Sequence, residues 1–505
     1  MKRFKKIFAL CVIATMSVAL GACSGDKASA SSEIVVGIPQ DLEDSLDPHK
    51  AEAAGTKEIL FNIYEGLLKP DSQGNNIPAV AESYVVSDDG LTYTFTLRDK
   101  VKFHNGKNVT AEDVKYSVDK FAGIADGTDP FVSAFSVIKE VNIVDDKTVD
   151  IVLEKVDNDL PIYLAMTSAA IIPADNADPD KVAIGTGPYK YVSRSPQENI
   201  ILERNDDYWG EKAGIANVTL KIESNADSIV MDLLGGSIDF YARLTTDQIA
   251  QLNDDFTVYE GTMNLVQALY LNNAVKPFDD VRVRQALSYA VDVQNILDIT
   301  AEGKGTQIGS SMFPAFGKYF MPELNDVYKT DVNKAKELLK EAGYENGFDM
   351  TITVPSNYDP HIAVAQVLVE QLKEIGVNAN IQLVEWNSWL SDVYTDRKFE
   401  STVIGVDAAY LAANALLARF ESTAHNNFVN FNSSAYDEIY AKFNDSSDDA
   451  EKTEYVKQLE KILTDEAANV YIQDLPEFVV LNKKYTGYEF YPLYVLDLAK
   501  IQLAK

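Results

Sequence analysis

SDDGLTYTFTLRDKVKFHNGKNVTAEDVKYSVDKF, residues 87–121, sets two periodicities side by side. Leu91, Tyr93, Phe95 and Leu97 alternate with Thr92, Thr94 and Thr96, the period-2 mark of a half-buried strand. The segment NVTAEDVKYSVDKF (108–121) then opens a helix, with Thr110 as N-cap and acids in the first turn. A strand followed at once by a capped helix points to an α/β chain.

The same mixture continues outward in both directions. EIVVGIP (33–39) reads as a strand whose β-branched run stops at Gly37 and Pro39. AGTKEILFNIYEGLL (54–68) places Ile59, Leu60, Ile63, Tyr64 and Leu67 at helical spacing. DVRVRQALSYAVDVQNILDI (280–299) and TDVNKAKELLKEAGY (330–344) predict helices, and Gly343 suits the stop of the second. FDMTITVP (348–355), HIAVAQVLVEQLKEIGV (361–377) and NANIQLVEW (378–386) predict strand, helix and strand. No repeat and no proline- or glycine-rich linker divides this body. The expectation is an α/β protein of two or more lobes.

The N-terminus has a different character. Lys2, Arg3, Lys5 and Lys6 precede an apolar run from Ile7 to Leu20 that is short for a membrane span, so residues 1–22 read as a secretory signal peptide. Leu20-Gly21-Ala22-Cys23 resembles the bacterial lipobox, in which Cys23 carries lipid and becomes the first mature residue. Residues 23–33 then form a small, polar, lipid-anchored tether. Cys11, the other cysteine, lies in the leader, so the mature chain has no disulfide, catalytic thiol or cysteine metal site.

Composition bounds the partners. Hydrophobic residues are 46% of 505, enough for more than one core. The leader holds four cations and no acids, so removing it shifts the formal net charge from −32 to −36. Such a surface repels nucleic acid and anionic lipid, which leaves the lipid as the sole membrane contact.

No catalytic constellation is visible. His49, His104, His361 and His425 lie in no HExxH pattern, and the chain has no CxxC, no GxSxG elbow and no phosphate loop. IGTGPY (184–189) lacks the Lys-Ser/Thr of such a loop and reads as a tight turn between lobes. The expectation is a ligand-capturing receptor, not an enzyme, with no cofactor.

LDPHKAEAAGTKEILFNIYEGL (46–67), the stretch 87–121, GTGPYK (185–190), NDDYWGEK (205–212), VRQALSYAVD (283–292) and KAKELLKEAGY (334–344) follow one another in order. This succession resembles the family 5 solute-binding proteins of ABC importers, which bind peptides, nickel complexes and related solutes. The likeness covers about residues 34–505. It implies a two-lobed, periplasmic-binding-protein-like α/β fold with an extra subdomain in the first lobe. Lobe I would combine 34–72, 186–272 and 476–505, with its subdomain at 73–185 and lobe II at 273–475. The chain would cross between lobes near GTGPYK and near YLNNAVKPFDD (270–280). It also implies a monomer that delivers its solute to ABC permease subunits, held by lipid on the outer face of a Gram-positive membrane. A peptide-signal sensor that feeds no importer is compatible with the same residues.

The resemblance further implies where solute binds. Trp386 in VEWNSW matches a pocket tryptophan of the oligopeptide binders. In IGVDAAYLAANALL (404–417) the usual Gly-Trp and Asp-Pro are lost, and Asp407 takes the amine-binding place with a two-residue shift. PSNYDP (355–360) offers Ser356 and Asn357 where dipeptide binders carry a carboxylate-gripping arginine, and leaves Tyr358 as a wall. Tyr410 and His425, 15 residues apart, match the tyrosine and histidine of the nickel-binding branch, so His425 is the metal ligand in the alternative, metal-chelate reading. That branch's two arginines are missing from GIADGTDPFVSAF (123–135) and LAMTSAAII (164–172), where Phe131 is the remaining contact candidate. A peptide or peptide-like solute ranks first and a metal chelate second.

Overall fold

The computed structural model describes residues 32–505 apart from 40, 43, 44, 52, 224, 226, 227 and 409. The signal peptide, Cys23 and the tether up to residue 31 lie outside the described residues. Among those described, no helix is long and apolar enough to cross a membrane.

Three sheets organise the chain. The seven-stranded sheet runs Phe256–Thr262, Pro476–Asn482, Phe240–Tyr241, Glu33–Ile38, Asn217–Ile222, Asn199–Arg204, Tyr189–Ser195. EIVVGI sits at its centre, parallel to Asn217–Ile222 and Phe240–Tyr241. The four-stranded antiparallel sheet joins Ala81–Val86, Thr92–Leu97, Thr148–Leu153 and Ile138–Asp145. The six-stranded sheet runs Thr306–Gln307, Asn469–Asp474, Leu265–Leu271, Ser401–Asp407, Phe348–Pro355, Val377–Val384.

The stretch 87–121 behaves as its periodicities require. Tyr93, Phe95 and Leu97 are buried, and the threonines between them are half-buried. The helix Ala111–Phe121 begins at a reciprocal cap: Asp113 N–H donates to Thr110 Oγ1 (3.3 Å) and Thr110 N–H donates to Asp113 Oδ2 (3.0 Å). Val114, Val118 and Phe121 point from this helix into the small sheet's core.

In the six-stranded sheet every residue of Leu265–Leu271 is buried. Val266, Ala268 and Tyr270 face one cluster while Leu269 and Leu271 face another, because helices cover both faces. The strand Phe348–Pro355, helix Asp359–Lys373 and strand Val377–Val384 form a parallel crossover unit.

Four expectations need correction. The helix from residue 54 ends at Leu60, although the apolar positions through Leu67 are buried as expected. The Asn62 and Ile63 carbonyls accept from Tyr189 N–H (3.0 Å) and Gly187 N–H (2.9 Å), so those groups serve the GTGPYK segment instead of a helix. That segment is correspondingly not a crossing between lobes: it joins the small sheet to Tyr189–Ser195, and a Cβ on Gly185 would meet the Ile63 carbonyl oxygen at 2.0 Å. The run 280–299 is two helices, Val281–Ala290 and Val293–Ala301, because Asp292 stops the first and caps the second through Asn295 N–H (3.0 Å).

The fourth correction concerns the lobe boundary. Leu265–Leu271 pairs with Ser401–Asp407 and Asn469–Asp474, so these residues, expected in the first lobe up to 272, belong to the second sheet. The chain passes between the large sheets at Met263–Asn264 and returns at Leu475, not near 270–280.

Candidate cleft between the sheets

Two adjoining cavities flank the C-terminal tail, one between the large sheets and one beside the seven-stranded sheet. The first, about 930 Å³ including space open to solvent, is lined by Lys57, Phe61, Ile162, Ala165 to Ser168, the residues Asp407, Ala408, Tyr410 and Leu411, and the tail residues Leu493–Val495. The second, about 550 Å³ measured the same way, lies behind that tail between Glu58, Arg243, Glu477, Tyr488 and Tyr491. Leu493, Tyr494 and Val495 border both, so the tail forms the partition.

Asp407 and Tyr410 come together here. Asp407 ends the strand Ser401–Asp407 with its side chain exposed, aligned with Leu265 across the ladder. Tyr410 lines the same cavity but buries most of its ring, which meets Tyr163 edge-on at 5.2 Å and joins the small sheet's core. The second lobe thus plugs an aromatic side chain into the subdomain. Asn158 Nδ2 donates to the Ser447 carbonyl (2.9 Å), bridging the same two bodies.

Tyr358 and Trp386 form an aromatic ladder. Tyr358 lies edge-on to Trp386 at 5.4 Å, and Trp386 stacks on buried Trp389 at 5.3 Å with an interplanar angle of 7°. Neither Tyr358 nor the half-buried Trp386 lines a cavity, although the Tyr358 phenol is within electrostatic reach of Arg243 and Asp407.

His425 and Phe131 stand apart. His425 is exposed, and its carbonyl accepts from Arg397 Nη2 (2.8 Å). Phe131 is 47% exposed, its ring 6.5 Å from that of His49. Neither borders the cavities. Among the described residues no group of three or more His, Cys, Asp or Glu could hold a metal ion. The buried His361 has both ring nitrogens engaged, with Gln267 (2.8 Å) and with Gly405 N–H (3.1 Å), and burial pushes its pKa down to about 3.

The sequence reading missed Arg243, Glu58 and Glu477. Arg243 Nη2 pairs with the Glu58 carboxylate, Nε lies 3.5 Å from Glu477, and the guanidinium covers the Tyr494 ring at 4.1 Å. These residues come from positions too far apart for any spacing rule. The available signal was a lone cation in FYARL (240–244), at the end of an apolar strand.

Several of the recurring blocks are structural. Glu65, in NIYEGL, accepts from Tyr208 Oη (2.7 Å), Trp209 Nε1 (2.8 Å) and Thr186 Oγ1 (3.1 Å), and pairs with Lys69. NDDYWG and GTGPY are therefore held to NIYEGL by one buried carboxylate.

The family model for bacterial extracellular solute-binding proteins, family 5, matches residues 75–428. Heme-binding protein A of Haemophilus influenzae is 29% identical over 84% of each chain. The dipeptide-binding protein of Escherichia coli is 28% identical over 83% of this chain and 84% of its own. The periplasmic binding protein DppA of Helicobacter pylori, solved with the peptide STSA, superposes with a TM-score of 0.80 at 26% identity, over 94% of this chain and 99% of its own.

Proposed function

From the premise that this chain belongs to the family 5 bacterial extracellular solute-binding proteins, a group of binding proteins and not enzymes, we propose that it captures a peptide or peptide-like solute between its lobes and delivers it to the permease of an ABC importer. The observation that carries the reading is the placing of Asp407. Its exposed carboxylate stands on the wall of a cleft lined by Phe61, Ile162, Tyr410, Leu411 and Tyr494 together with the polar Lys57, Asn76, Thr167 and Ser168, where a peptide ammonium would find a counter-charge. Relatives named for dipeptide binding and solved with peptide support the same solute class. Trp386 acts through Tyr358, whose phenol is within electrostatic reach of Asp407. The metal-chelate alternative gains no support from His425, which lies off the cleft.

Capture proceeds by closure. Lobe I comprises the seven-stranded sheet with the small sheet as its subdomain, and lobe II the six-stranded sheet. Solute sealed between them loses competing water, which strengthens each polar contact. The protein works as a monomer on the extracytoplasmic face, held through lipid on Cys23.

A native mass spectrum of the purified mature domain tests the solute class. Co-purified masses resolving into short peptides are expected; nickel or another metal complex in their place would overturn the reading. Replacing Cys23 by Ala tests the anchor. The variant should appear in the medium, and retention by the membrane would reject lipidation.

A further inference from the structure

The inner cavity carries a feature that a simple peptide clamp does not require. Arg243 has φ of +63°, a left-handed backbone that non-glycine residues seldom adopt and that clusters at functional sites. Its guanidinium carbon stands 4.1 Å from the centre of the Tyr494 ring, which covers one side of the group. Nη2 is taken by Glu58, whereas the buried Nε has no hydrogen-bond partner among the described residues although Glu477 stands 3.5 Å away. The three side chains are 20%, 12% and 13% exposed in the order Arg243, Glu58, Glu477, at the wall of a cavity bordered by Tyr488 and Tyr491. A buried N–H donor without an acceptor is costly, and a molecule in the cavity that brings an acceptor removes the cost.

The geometry points to Arg243 as a subsite for a carboxylate of the solute, with Glu477 holding a proton while that carboxylate is bound. This rests on the cleft being the solute site. One guanidinium cannot serve three ionised carboxylates in a closed space, so an incoming anion displaces the negative charge of Glu477, which takes a proton from solvent. Burial already pushes the Glu477 carboxyl up to about 7, with Arg243 acting against that rise and Glu58 adding to it. The other ionisable groups facing it are Tyr488, Tyr494 and, from the end of the neighbouring strand, Asp474. The site also replaces in function the arginine missing at Ser356 and Asn357, from the opposite lobe. Arg243 then takes a carboxylate in the inner cavity, while Asp407 stands in the outer one.

The test uses a mixed tripeptide library with free C-termini and the same library C-terminally amidated. Both are titrated calorimetrically into the full mature domain at pH 6, 7 and 8, in two buffers of different ionisation enthalpy. Acids should bind at least tenfold tighter than amides, with net proton uptake at pH 7–8. Arg243→Met should abolish the preference. Glu477→Gln, which keeps a donor and the side-chain shape, should retain the preference and lose the proton uptake; it also serves as the folded control if Arg243→Met does not fold. Equal binding of acids and amides overturns the subsite and leaves the peptide reading standing. Tighter binding of amides overturns it in favour of a cation site between Glu58 and Glu477. If neither library binds but nickel with histidine does, the peptide reading fails. The subsite is then decided by whether Arg243→Met weakens the chelate, whose histidine carboxylates are its remaining partner. Binding of no probe overturns both.

Discussion

Met263 N–H donates to the Leu475 carbonyl at 2.8 Å, where two neighbouring strands carry the chain from one large sheet to the other. Two residues on, Leu265 N–H donates to Asp474 Oδ1 at 3.1 Å, and Asn264 between them adopts φ of +55°. Asn264 Nδ2 reaches the carbonyls of Thr262 and Tyr491, each at 3.1 Å, so the hinge is tied to the tail that partitions the cleft. Asp474→Ala removes the buried acceptor of Leu265 N–H and is expected to lower stability by about 1–3 kcal/mol in urea denaturation. Asp474→Asn, which keeps an acceptor, should lose less.

A two-strand hinge predicts closure without internal rearrangement of either sheet. Small-angle scattering should show a smaller radius of gyration with saturating peptide than without it. The same radius in both states would argue that the cleft does not close on solute.

Tyr410 is expected to act mainly through packing. Tyr410→Phe keeps the ring against Tyr163 and should leave stability and peptide affinity nearly unchanged. Tyr410→Ala opens the subdomain core and should cost about 3–5 kcal/mol, the usual range for a buried aromatic side chain. A binding defect in Tyr410→Phe at normal stability would instead assign its hydroxyl to the solute.

Asp407 and His425 separate the two solute classes. Asp407→Asn should weaken a free peptide by about a hundredfold, because an ammonium would be buried without its counter-charge. His425→Ala, at an exposed position off the cleft, should leave peptide binding intact. Calorimetry on both variants, against mixed peptides and against nickel with histidine, checks this. A normal Asp407→Asn together with a His425→Ala defective for the chelate would reverse the ranking.

Glu460 predicts a pH effect on stability. It is 1% exposed, accepts from Ser311 Oγ at 2.5 Å, and is pushed up to about 7 by burial. From about pH 4.3 to 7 the unfolded chain has released a proton that the folded chain keeps, so this contribution is full at acid pH and lost as pH rises through 7. Buried His49 and half-buried His104, pushed down to about 4, and His361, at about 3, act in the opposite sense: stability rises with pH up to about 6.5. Comparison with Glu460→Gln isolates the carboxyl. Between pH 5 and 7 the wild type should lose stability relative to the variant by up to about 1.4 kcal/mol per pH unit, measured by urea denaturation.

Legibility followed the range of the interaction. The strand at 91–98 and the helix at 108–121 were readable because alternation and an N-cap act within a few residues. Gly343, with φ of +88°, was readable as a helix stop for the same reason. Asp407 and Tyr410 shared one short loop and share one cavity, but Tyr410 turned toward the subdomain. Arg243 escaped notice because its partners lie at residues 58, 477 and 494.

The sequence by itself determined the α/β class, the acidic surface and the succession of blocks that resembles the solute-binding family. Local backbone preference, capping and side-chain alternation need no distant partner to be expressed. Tertiary structure alone decided where the helix after residue 54 stops, since the Asn62 and Ile63 carbonyls accept from Tyr189 N–H and Gly187 N–H respectively. It likewise decided that Leu265–Leu271 belongs to the second sheet, through pairing with strands beginning at residues 401 and 469. It set the pairing of Arg243 with two carboxylates drawn from opposite ends of the chain. Such contacts form between groups that only the folded chain brings within a few ångströms, and no periodicity in the residues records them.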